Sequence, residues 1–84
     1  MADYFVRGTK TLMSYFKTLG LDMNAARQRA AASINVPIIY FRSDGQDPAT
    51  FSRKITNDQA EALAAVMGVS VANLVTNGGL VQLP

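Results

Sequence analysis

The 84-residue chain has no cysteine and no histidine. Without cysteine it can build no disulfide framework, and without either residue it lacks the usual ligands of a zinc or haem site. Its six acids do not cluster in a metal-binding spacing, so no structural metal is expected. The same absences remove most enzyme chemistry: there is no imidazole base, no thiol nucleophile and no serine in a recognisable nucleophile motif. The expectation is a protein that is not an enzyme, with no cofactor and no small-molecule substrate. Long apolar runs are missing too. Nothing approaches the roughly 20 residues of a membrane span, and the N-terminus lacks a basic region followed by an apolar one. A soluble, cytoplasmic protein with no membrane partner is expected.

Basic residues are missing from the last third. All eight lie at or before position 54: Arg7, Lys10, Lys17, Arg27, Arg29, Arg42, Arg53 and Lys54. Against them stand four acids, Asp3, Asp22, Asp44 and Asp47, so residues 1–54 carry a net +4, whereas residues 55–84 hold only Asp58 and Glu61, a net −2. A polyanion would be met by the first two-thirds of the chain. The bland alternative is a solvated surface with a lopsided charge.

What is present is enough for one small domain. A hydrophobic share of 49% supports a modest core over residues 1–84, with 1–8 as an N-terminal arm and 77–84 as a C-terminal tail. Tyr4, Phe5 and Val6 read as an arm or an edge strand ended by Gly8. Thr9 reads as the cap of a helix with Leu12, Met13, Phe16 and Leu19 at helical spacing, stopped by Gly20. Asp22 caps a second helix whose inward face is Met23, Ala26, Ala30 and Ile34. Its alanines favour helix but give thin packing, so neighbours must come close. Thr56 and Gln59 form a capping box opening a helix that ends at Gly68, and Ser70 caps a last helix closed by Asn77-Gly78-Gly79. The remaining LVQLP is an apolar tail and the expected dimer contact, with the N-terminal YFV run as the competing candidate.

Residues 27–43, RQRAAASINVPIIYFRS, are the organising stretch. Ala30 and Ala31 permit close approach, Asn35 tolerates a left-handed turn, Val36 folds back, and Pro37 suits the first turn of a helix that buries Phe41. The run VPIIYFR also has strand character. In that reading IIYFR pairs with TFSRKI across the turn signals of SDGQDPA, a small β-hairpin at 37–55. The spacing recurs 33 residues later, with Ala64, Gly68, Val69, Ser70 and Leu74 standing where Ala31, Asn35, Val36, Pro37 and Phe41 stand. The second occurrence has no Lys or Arg, and its Asp58 and Glu61 would repel phosphate.

Ala31, Asn35 and Phe41, together with EALAAVMGVSVANLV, resemble the lambda-repressor-like family of bacterial and phage DNA-binding regulators. Asn35 stands where that family usually has Gly, and Pro37 where it usually has a polar cap. The resemblance covers most of residues 9–76. It implies a mainly α, compact, four- to five-helix helix-turn-helix domain, and a phage- or plasmid-type transcription regulator, a repressor acting as a homodimer on double-stranded DNA. The second helix of the first motif would lie in the major groove, presenting Ile38, Ile39, Arg42 and Ser43. Arg42 would bond guanine edges and the isoleucines touch thymine methyls. Arg27 and Gln28 would sit near the DNA backbone, and Arg53 and Lys54 would add phosphate contacts. The bland alternatives are isoleucines buried in a hairpin and a solvated Arg53–Lys54 pair. The second functional reading is a protein-interaction module, a phage-encoded inhibitor or adaptor that binds through the IIYF surface.

Overall fold

In a computed structural model, residues 3–7, 9–41 and 53–84 are described. The chain is mainly helical, and helices pack on one face of a three-stranded sheet. The first helix, α1 (Thr9–Lys17), turns Leu12, Met13 and Phe16 into the core. Thr9, expected as its cap, is the first helical residue and is buried. The helix then tightens: Leu19 and Gly20 donate to Phe16 and Lys17, three residues back, and Gly20 takes a φ of +83°. That tightening rotates Leu19 off the apolar stripe, leaving it 55% exposed where the sequence had placed it inside.

Asp22 caps α2 (Met23–Ser33), its carboxylate accepting the Ala25 N–H at 2.7 Å. Ala26, Ala30, Ala31 and Ile34 are buried, while Met23 is only half-buried. Asn35 follows in the left-handed region at φ +56°, and the Val36 N–H returns to the Ala31 carbonyl at 3.1 Å. Ile38–Phe41 then forms a 3-10 helix, with Tyr40 N–H bonded to Pro37 O at 3.0 Å and Phe41 fully buried. This excludes the hairpin expected at 37–55 as the place of IIYF. Of its supposed partner strand, Lys54–Ile55 forms β2, and that pairs with the N-terminal Tyr4–Val6 strand instead. The physical reason is local: once Asn35 has reversed the chain and Pro37 has fixed its φ, one tight turn is the short route that brings Phe41 inward.

The sheet joins distant parts of the chain. Its order is β2–β1–β3, both pairs antiparallel, with β1 (Tyr4–Val6) in the middle and β3 (Leu80–Gln82) on the far side. The YFV run is therefore the central strand, not an arm or an edge. The C-terminal run is not an uncovered tail either, since Leu80 is 1% exposed and Leu83 N–H bonds Asp3 O at 2.9 Å. Val6, Ile55 and Leu80 point to the helices.

Between β2 and β3 lie α3 (Asn57–Met67) and α4 (Val71–Thr76). The capping box of Thr56 and Gln59 is present in both directions, and Gly68 ends α3 at φ +73°. Ser70 Oγ accepts the Asn73 N–H at 3.1 Å and so caps α4. Gly79 sits against α1: a Cβ there would lie 2.7 Å from Leu12 Cδ2. No helix among the described residues is long and apolar enough to cross a membrane.

Candidate nucleic-acid interface

At about 100° per residue, Asn24, Arg27, Gln28 and Ala31 share one flank of α2. The 3-10 helix lies along that flank. Ala31 receives the Val36 N–H, and Arg27 Nε donates to the carbonyl of Phe41 at 3.1 Å. Ala31 leaves room for the returning backbone, and the Arg27 guanidinium donates to the carbonyl of the last residue of the short helix. A third tie comes from α3. The Gln59 side chain accepts Thr56 N–H at 2.9 Å and donates to Ile34 O at 3.0 Å, joining the end of α2 to the start of α3. The turn at Asn35 is thus fixed from both sides.

The expected contact residues separate into groups. Gln28 is exposed on the flank of α2 that borders the 3-10 helix. Ile38 is 38% exposed and Ile39 half-buried, so the first points outward and the second is divided between core and solvent. Arg27 is half-buried and holds the 3-10 helix by its bond to Phe41. Arg42 and Ser43 lie outside the described residues.

Arg53 and Lys54 do not act as a pair. Arg53 is 6% exposed, so the phosphate contact expected of it is corrected: the residue is part of the interior. Lys54 is exposed, but on the opposite side of the strand from Arg53 and Ile55, on the sheet face turned away from the helices. Strand alternation is the cause, because adjacent residues face opposite ways. The hairpin reading places RKI on a strand, and the same alternation follows from it.

Sequence reasoning left Arg29 out of the candidate set. It is exposed on α2, and, standing about 200° around the helix from Arg27, it falls on the flank away from the 3-10 helix. Lys10 and Lys17 are exposed on α1, as their place outside the apolar stripe predicts. The second turn presents no cation: α3 shows Asp58 and Glu61 to solvent. Among the described residues no group of acids could hold a metal ion.

Compared with family models, curated proteins and solved structures, the chain matches none.

Proposed function

We propose that the chain is a small sequence-specific DNA-binding regulator of phage or plasmid type, with α2, the Asn35 turn and the 3-10 helix acting as a helix-turn-helix. The observation that carries this reading is the fixed turn: a left-handed Asn35, the bond from Val36 to Ala31, and a short helix anchored by buried Phe41. It holds Gln28 and Ile38 exposed at its border, and Arg42 and Ser43 follow Phe41 directly in sequence. Gln28 donates to a phosphate, Ile38 meets thymine methyls and Arg42 meets guanine edges. Arg27 acts through position, by holding the 3-10 helix. The cation excess of residues 1–54 draws in the duplex. No catalytic step is involved. A reader this small has few contacts, so a homodimer on a two-fold site supplies the specificity, and occupancy of the operator represses.

The test is selection from random duplexes followed by anisotropy titrations at two salt concentrations. Arg42→Ala should weaken the selected site by about 1–3 kcal/mol and leave non-specific binding much less changed. If no duplex is retained even at low salt, the reading fails. The exposure of Ile38 favours one other reading, a protein-interaction module acting through IIYF. In that case Ile38→Ala would abolish capture of the partner while Arg42→Ala would have no effect.

A further inference from the structure

The sheet face turned away from the helices carries a second surface. Lys54 of β2, Phe5 of β1 and Val81 of β3 stand in one row across the three strands. Arg7 lies two residues beyond Phe5 and so on the same face, about 7 Å along the strand. Leu83 lies two residues beyond Val81 on an antiparallel strand, at the opposite end of the row. These five residues line a shallow depression of about 500 Å³. Phe5, Val81 and Leu83 are half-buried and form its floor, while Arg7 and Lys54 are exposed at its rim.

The outward side of an antiparallel sheet is ordinarily its polar side. Here three apolar side chains occupy it, flanked by cations, and no acid is among the described lining residues. The acid nearest along β1, Asp3, has its carboxylate engaged by the Asn57 N–H at 2.6 Å.

We propose that this face is a docking site for an acidic protein segment, which seats an apolar side chain on Phe5, Val81 and Leu83 and places carboxylates against Arg7 and Lys54. Charge selects this occupant over a second copy of the chain. Two copies packed face to face would bring Arg7 and Lys54 of each against those of the other with no acid in the floor between them. The apolar floor selects it over nucleic acid. A phosphate backbone would match the rim but leave Val81 and Leu83 without a partner, and only Phe5 offers a ring for base stacking. The depression is small, so the contact is a transient one, with a dissociation constant on the order of micromolar or weaker.

The site does not depend on the DNA reading, because it lies on the sheet and uses neither α2 nor the 3-10 helix. The full chain, labelled with nitrogen-15, is titrated with a capped synthetic peptide of alternating Asp and Leu. The proposal expects saturable amide shifts at Phe5, Arg7, Lys54, Val81 and Leu83. The same peptide with Lys for Asp should not produce them. The double variant Arg7→Glu, Lys54→Glu should bind roughly tenfold more weakly or less, with an unchanged circular dichroism spectrum. Should that variant fail to fold, Lys54→Gln removes one exposed cation and should still weaken binding measurably. Equal binding of the Lys peptide, shifts confined to other surfaces, or no shifts at about 1 mM peptide would each overturn the proposal. So would a short duplex or oligothymidine that saturates these same five amides, which would assign the face to nucleic acid.

Discussion

The turns at Asn35 and Gly68 close in the same way and lead to different structures. In each, the residue after the left-handed position returns its N–H to a buried alanine: Val36 to Ala31 at 3.1 Å, Val69 to Ala64 at 3.0 Å. In each, the left-handed residue bonds three back, Asn35 to Ala32 and Gly68 to Ala65. Each is followed by a fully buried anchor, Phe41 or Leu74. What differs is the residue that starts the next helix. Ser70 supplies a hydroxyl to the Asn73 N–H, and the chain runs on as an α-helix of six residues. Pro37 supplies no such acceptor, and the described chain makes a four-residue 3-10 helix. The small alanine and the left-handed residue determine the turn; the capping residue determines what kind of helix comes out of it. Charge also distinguishes them, since cations accompany the first turn and Asp58 and Glu61 the second.

The comparison can be broken at its anchors. Phe41→Ala should destabilise the fold by about 3–5 kcal/mol and Leu74→Ala by about 2–5 kcal/mol, both by leaving cavities in the core. Urea denaturation monitored by circular dichroism measures both. If Phe41→Ala cost less than about 1 kcal/mol, the first turn would not be anchored as described.

A smaller effect tests the link between the two turns. Gln59→Glu preserves an acceptor for Thr56 N–H but removes the donor to Ile34 O and sets a carboxylate beside that carbonyl. The expected loss is about 1–3 kcal/mol, read from the denaturation midpoint. Gln59→Ala should remove both bonds, and a loss no larger than that of a surface substitution would show that the tie contributes nothing.

The left-handed positions themselves sharpen the comparison. Gly68→Ala should cost about 1–2 kcal/mol, because the new Cβ meets open space but the backbone conformation is strained. Asn35→Gly should change stability by only a few tenths of a kcal/mol, as relief of that strain offsets the greater freedom of the unfolded chain. Thermal denaturation of both variants side by side would show the asymmetry, and equal losses would refute it.

Caps and turns were legible because they are local. Asp22, Thr56 and Ser70 each act on backbone within three residues, as Gln59 does in its bond to Thr56 though not in its reach to Ile34, and Asn35 and Gly68 are recognisable by residue type. The sheet was not legible, because strands of two or three residues have too few positions for alternation to show, and their partners lie far away in sequence. Leu19 was misplaced for a related reason: the apolar period continues through it, but the hydrogen bonding changes before it. Among the candidate contacts, Gln28 is exposed on α2, and helical spacing is enough to place it beside Arg27 and Ala31. That spacing could not show that Arg27 reaches Phe41, a contact across fourteen residues, nor that the charges of Arg53 and Lys54 part to opposite faces of a strand.

The middle strand of the sheet has its neighbours at residues 54–55 and 80–82, so Phe5 meets Val81 across 76 positions. This sets an order of events for a chain emerging from the ribosome. Helices α1 and α2, with the return bond from Val36 to Ala31, need only local contacts and can form early. Tyr4–Val6 must wait, because one neighbour lies beyond the organising stretch and the other follows it by more than 70 residues. Closing a loop of that length costs chain entropy before any pairing repays it. The pairing of β1 with β3 therefore comes late, and a nascent chain held short of residue 80 would lack that side of its sheet.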